Sequence, residues 1–112
     1  MKKIEVIIRP EKLDDVRKAV EAIGCSGLMI AEIEGHGKQK GVIQQWRGEK
    51  YKVELLPKIK IDIVVKDQDV DKITKTIIAS ARTGDIGDGK IFISNIEDAI
   101  RIRTGEKGDI AL

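Results

Sequence analysis

Lys58-Ile59-Lys60-Ile61-Asp62-Ile63-Val64-Val65 is the segment from which the fold is read most directly. Ile59, Ile61, Ile63 and Val65 alternate with Lys58, Lys60, Asp62 and Val64. A period of two puts these sets on opposite faces of a β-strand, one aliphatic and one largely charged. Asp67, Asp69 and Asp71 follow, where a helix N-terminus favours negative charge. Val70, Ile73, Ile77, Ile78 and Ala81 then recur at helical spacing and predict a helix with one apolar stripe. Residues 83–89 are rich in glycine and interrupt it. A further strand is expected over 91–96. Beyond it, Ile100 and Ile102 alternate with Arg101 and Arg103, which predicts an extended tail with both arginines on one face.

The same pattern lies on the N-terminal side. Residues 3–9 alternate, with Ile4, Val6 and Ile8 on one side and Glu5, Ile7 and Arg9 on the other. Pro10 suits a helix start. Leu13, Val16, Ala19, Val20 and Ile23 form a helical stripe, and Gly24 is placed to cap it. A strand over 27–34 follows, closed by Gly35-His36-Gly37. The order is β-α-β, a long loop, then β-α-β. That order predicts an α+β fold, the ferredoxin-like βαββαβ sandwich, with both helices on one face of a four-stranded antiparallel sheet. The other sheet face carries either Met29, Ala31 and Ile33 or Leu28 and Ile30. Left open it would be partly wet, so self-association is expected.

The chain of 112 residues is read as one domain with an aliphatic core. With 36% charged residues and a net charge of +2, it lacks the basic excess of a nucleic-acid binder. It has no apolar run of membrane-spanning length and no signal-peptide pattern. The single Cys25 cannot form an internal disulfide, which fits a reducing, cytoplasmic setting, and it is expected to pack at a helix end. His36 stands without a metal-ligating cluster around it.

The loop over 37–57 holds Trp46 and Tyr51, and Phe92 is the only other aromatic. Long loops in compact domains are functional or disordered, and exposed aromatics favour interfaces. Residues 37–56 carry Lys38, Lys40, Arg47, Lys50 and Lys52 against Glu49 and Glu54, a local net charge of +3.

Thr83-Gly84-Asp85-Ile86-Gly87-Asp88-Gly89-Lys90-Ile91 invites comparison with a phosphate-binding loop. Gly84, Gly89 and Lys90 satisfy the first part of the Walker spacing. Ile91 stands where a magnesium-ligating hydroxyl is needed, and the helix precedes the loop instead of following it. The Walker reading therefore fails. Glycines still let backbone N–H groups approach an anion, and Lys90 adds charge. An ordinary helix-to-strand turn explains the glycines as well. Arg101 and Arg103, whose guanidinium forks match phosphate oxygens, favour a polyphosphate site.

Taken together these residues resemble the PII nitrogen-regulatory signalling proteins, over essentially the whole chain. Thr83, Gly87, Asp88, Gly89, Lys90, Ile91, Phe92, Ile93 and Ile96 match the family's C-terminal signature. Leu56-Pro57-Lys58-Ile59-Lys60-Ile61, Gly37-Lys38-Gln39-Lys40-Gly41 and Ile100-Arg101-Ile102-Arg103-Thr104-Gly105 are similar to three further family stretches. Lys38 stands where members usually have Arg, Asp62 where they often have Glu, and Met29 where they often have Thr.

The resemblance implies a homotrimer with its sheets inward, and a single domain 1–112 divided by function. Residues 37–57 would be the effector loop, 82–90 the nucleotide-phosphate loop and 98–112 the C-terminal tail. It implies that ATP and ADP compete for three intersubunit clefts. Gly87, Gly89, Lys90, Arg101 and Arg103 would hold phosphates, and Asp88 belongs to the same nucleotide set. Met29, Asp62 and Val64 would surround adenine, with Gly35, Gly37, Lys38 and Gln39 completing the nucleotide set. It implies 2-oxoglutarate beside Mg-ATP, with Gln39 as the Mg²⁺ ligand, Lys58 on the distal carboxylate, and Arg9, Lys40, Gly41 and Gly87 nearby. Trp46, Arg47 and Tyr51 would contact a target. Tyr51 is also where many members are uridylylated, but Trp46, Glu49 and Lys50 depart from that local pattern, which favours contact over modification. Glu49 closes the phosphoserine route that other members use. The implied targets are an ammonium transporter, with reversible membrane association through it, and nitrogen-metabolism enzymes. The alternatives are control of a metabolic enzyme alone, nucleotide binding without a 2-oxoglutarate response, a nucleotide hydrolase using Asp88 as base, or a related trimeric module binding metal.

Overall fold

The computed structural model describes residues 1–35 and 55–112 in full, and residues 43–46 and 49–52 through their backbone. The elements in chain order are β1 (Lys2–Ile8), α1 (Leu13–Ala22), β2 (Met29–Gly35), β3 (Ile43–Trp46), β4 (Glu49–Lys52), β5 (Leu56–Val65), α2 (Val70–Ala81) and β6 (Lys90–Asn95). Short 3₁₀ turns at Pro10–Lys12 and Asp67–Asp69 lead into the two helices. Four strands form one sheet in the order β2-β5-β1-β6, and every adjacent pair is antiparallel. This is the ferredoxin-like arrangement, with β5 central because it pairs with β1 on one side and β2 on the other.

One sheet face and two helix stripes make the core. Ile4, Val6 and Ile8 of β1 and Ile59, Ile61, Ile63 and Val65 of β5 are buried with Val16 and Val20 of α1 and Ile73, Ile77 and Ala81 of α2. Burying these aliphatics is the main favourable contribution to folding, about 1.5–3 kcal/mol for each fully buried large side chain. Gly24 ends α1 at φ +87°, with its N–H on Glu21 O and the Cys25 N–H on Val20 O, both 3.0 Å. These are the two bonds of a Schellman cap. Ile78, counted in the apolar stripe of α2, is instead 41% exposed.

The other face is settled by register. Asp62 lies opposite both Met29 and Glu5, and Glu5 lies opposite Phe92. Directly paired residues share a face. Met29, Ala31, Ile33, Ile7, Val64 and Phe92 therefore face away from the helices, while Ile30 pairs with Ile61 on the helix side. Charge occupies the middle of this open face. Lys3 lies 3.8 Å from Glu5 and 3.9 Å from Asp62, and Lys60 lies 3.9 Å from Glu5 and 3.7 Å from Asp62.

Two sequence expectations change. The stretch between β2 and β5 contains regular structure: β3 and β4 pair antiparallel, from Ile43 opposite Lys52 to Trp46 opposite Glu49. The tail is not extended. Ile100 bridges to Lys107, the Arg101 N–H donates to Glu106 O at 2.9 Å, and the Gly105 N–H returns to Arg101 O at 2.7 Å. Alternation over four residues cannot distinguish a strand from one arm of a turn, and Gly105, at φ +72°, permits the reversal.

Candidate functional site

The loop between α2 and β6 is held at both ends. At its far end the backbone presses on β1. A Cβ on Gly89 would stand 1.7 Å from Ile7 O, and Gly89 has φ +106°. Only glycine fits this position without displacing the backbone. At its near end Asp88 acts as a clasp. Its Oδ2 accepts the N–H groups of Thr83 and Gly84, each at 2.9 Å. Its Oδ1 accepts the Thr83 hydroxyl. The Thr83 hydroxyl oxygen in turn accepts the Asp85 N–H at 3.1 Å. The Thr83 hydroxyl, with further support from backbone N–H groups and Arg9, holds the Asp88 carboxyl well below the usual carboxylate range.

Two cations converge on the same loop. Arg9, just beyond β1, donates from Nη2 to Ile86 O at 2.8 Å and from Nε to Asp88 Oδ1 at 3.3 Å. Lys58, near the start of β5, donates from Nζ to Gly87 O at 2.9 Å. Pairing of Ile8 with Ile59 puts the two carriers at the same end of the sheet. Gly35 makes room beside them, since a Cβ there would meet Lys58 Cγ at 3.3 Å. Desolvation lowers the Lys58 pKa, and the neighbouring charge of Arg9 lowers it further. Two part-buried cations side by side, with Asp88 already paired to Arg9, make a place where an added negative charge would offset their mutual repulsion.

The structure thus brings Arg9, Lys58, Gly87 and Asp88 together. Met29, Asp62 and Val64 share the open sheet face, with Met29 directly opposite Asp62. Asp62 Oδ1 is buried there without a hydrogen-bond partner among the described residues. Arg101 is bound within the tail, Nη1 to Glu106 Oε1 at 2.8 Å and Nη2 to Ile110 O at 2.7 Å, while Arg103 is exposed in the turn. Gly37, Lys38, Gln39, Lys40, Gly41 and Arg47 lie outside the described residues, as do the side chains of Trp46 and Tyr51. Thr83 and the Ile86 carbonyl took no part in the sequence reading of the site. Thr83 stood in the signature, but a threonine before a glycine run carries no sign of its hydrogen-bond partner.

The fold and this site define a class: a ferredoxin-like α+β domain with a clasped glycine loop and a cation pair at one end of its sheet. Residues 1–106 match the family described as Nitrogen regulatory protein P-II. Over 112 residues the chain is 55% identical to nitrogen regulatory protein P-II 2 of Methanothermobacter thermautotrophicus, using all of this chain and 97% of that protein. It is 54% identical to nitrogen regulatory protein P-II of Nostoc punctiforme and 53% identical to nitrogen regulatory protein P-II 1 of Escherichia coli K12, each over the full length of both proteins. The chain belongs to the nitrogen regulatory protein P-II family. Its relatives are named as regulatory proteins, and no helix among the described residues is long and apolar enough to cross a membrane.

Proposed function

We propose that this protein is a non-enzymatic cytoplasmic sensor of ATP or ADP and of 2-oxoglutarate, and that it reports occupancy through the shape of residues 37–57. The observation that carries this reading is the convergence of Arg9 and Lys58 on the carbonyls of Ile86 and Gly87. Gly87, Gly89 and Lys90 hold the phosphates of the nucleotide, and Asp88, itself an anion, shapes the loop around them. Met29, Asp62, Val64 and Gly35 line its base and ribose side, joined by Gly37, Lys38 and Gln39. Arg101 and Arg103 reach a neighbouring copy's phosphates in a homotrimer, which also covers the open sheet face. Lys58 and Arg9 take the carboxylates of the keto acid, with Lys40, Gly41 and Gly87 around it.

Mg²⁺ fits as an ion that arrives with the nucleotide. Among the described residues no group of three or more His, Cys, Asp or Glu side chains is placed to hold a metal by itself. Gln39 would add an amide oxygen to ligands supplied by the phosphates, which suits a cation that prefers oxygen. Trp46, Arg47 and Tyr51 contact the target, an ammonium transporter or a nitrogen-metabolism enzyme, and Tyr51 is the position where modification would act. Asp88 is a poor general base, because four donors already occupy its carboxylate and weaken its proton affinity.

Titration calorimetry tests the reading: 2-oxoglutarate injected with and without Mg-ATP. Heat of binding is expected only with the nucleotide present. Equal heats in both cells remove the linkage, and prompt ATP turnover would favour a hydrolase.

A further inference from the structure

Three consecutive residues of the glycine loop each give an oxygen to one of two cations. Ile86 O and Asp88 Oδ1 accept from Arg9, and Gly87 O accepts from Lys58. The same Asp88 oxygen accepts the hydroxyl of Thr83 at the start of the loop. The cation pair and the phosphate cradle therefore meet in a single carboxylate. We propose that Asp88 and Thr83 are coupling residues, through which occupancy of the Arg9–Lys58 pair by a carboxylate ligand is transmitted to the loop that holds the nucleotide. This rests on the function proposed above.

The loop oxygens and an incoming carboxylate draw on the same two side chains; each has further N–H groups to offer, but a cation that turns toward an acid turns away from the loop. Lys58 and Arg9 cannot turn fully to an acid while they hold Ile86 O, Gly87 O and Asp88. When they turn, the apex of the loop loses its tethers. The near end keeps the bonds from Thr83 and Gly84 to Asp88 and from Asp85 to Thr83, and the far end keeps the contact of Gly89 with β1. The loop passes into a second arrangement whose shape depends on the clasp. Binding free energies are reciprocal, so a nucleotide that prefers either arrangement changes the affinity for the acid by the same factor. A Mg²⁺ held by Gln39 and the phosphates would be a separate link, beside this one made of protein alone.

Arg9 and Thr83 donate to one oxygen atom, so their effects should not be independent. Hydrogen exchange of the ligand-free protein gives the first test. Arg9→Met, which imitates withdrawal of Arg9 by an acid, should speed exchange of the Thr83 and Gly84 amides by about fivefold or more while leaving exchange in the core strands unchanged. Unchanged exchange at these two amides overturns the proposal, whatever the protein binds. The second test is ADP affinity in Arg9→Met, Thr83→Val and the double variant. The combined loss should differ from the product of the single losses by about threefold or more. Thr83→Ser keeps the hydroxyl and should restore the wild-type Arg9 effect. Simple multiplication of the two losses, or failure of Thr83→Ser to rescue, overturns it. The outcomes separate from those of the sensor reading: calorimetry without keto-acid binding removes that reading and leaves the exchange result standing, and the converse also holds.

Discussion

The glycine loop and the C-terminal tail are both tight reversals closed by one charged side chain, but with opposite polarity. In the loop a carboxylate, Asp88, collects backbone N–H groups. In the tail a guanidinium, Arg101, donates to Glu106 and to the Ile110 carbonyl. The glycines differ as well. Gly89 is pressed against Ile7 O, whereas a Cβ on Gly105 or Gly108 would meet nothing within 4 Å. The loop is shaped by tertiary contact with β1, β5 and two cations. The tail is shaped mainly by its own residues. A loop anchored from outside is open to change through its anchors; a self-closed turn depends on its own bonds and presents Arg103 to solvent.

Breaking the two turns should therefore have unequal consequences. Gly89→Ala combines a strained φ with backbone overlap and is expected to destabilise the fold by about 3 kcal/mol. Urea unfolding at fixed protein concentration measures it, and a loss below about 1 kcal/mol would contradict the close approach. Gly105→Ala has φ +72° but open space, so the same measurement should give about 1 kcal/mol. If the two glycines cost the same, the contrast between the turns is wrong. Arg101→Ala breaks an ion pair whose partners are 34% and 36% exposed. Solvent screening limits the effect on stability to below about 1 kcal/mol, while the sensor reading expects a much larger loss in ADP affinity.

The smallest effect is in pH dependence. The folded state binds the Asp88 proton more weakly than the unfolded chain does. The carboxylate's contribution is thus fully present above the ordinary aspartate pKa and is lost as pH falls through the lower folded value. The stability difference between wild type and Asp88→Asn should stay flat from about pH 7 to 5 and narrow below about pH 4. A difference that persists unchanged to about pH 2 would show that the carboxylate charge does not make the clasp.

Legibility in the sequence followed burial. β1 and β5 are central strands with one face in the core, and their alternation is clean because every second residue is sealed from water. The edge strand β2 exposes Met29 at 57% and Ile30 at 45%, on opposite faces, so its pattern left two orientations open. The tail and the β3–β4 hairpin were misread or missed because short segments outside the core carry little periodic signal. Gly87, Asp88, Gly89 and Lys90 were legible as a motif, as were Arg9 and Lys58 through the family resemblance. The role of Thr83 was not, since its partner lies across a turn.

By itself the sequence determined the order of the four sheet strands and two helices, the aliphatic core, the ferredoxin-like topology and the family, because these rest on periodicity and on motifs contiguous along the chain. Only the tertiary structure decided which face of β2 looks away from the helices, how the tail closes, and that Arg9, Lys58 and Thr83 meet around residues 86–88. Those are contacts between positions up to 79 apart in the chain. Hydrogen-bond geometry across such a separation depends on register and backbone approach, and no local pattern of residues encodes it.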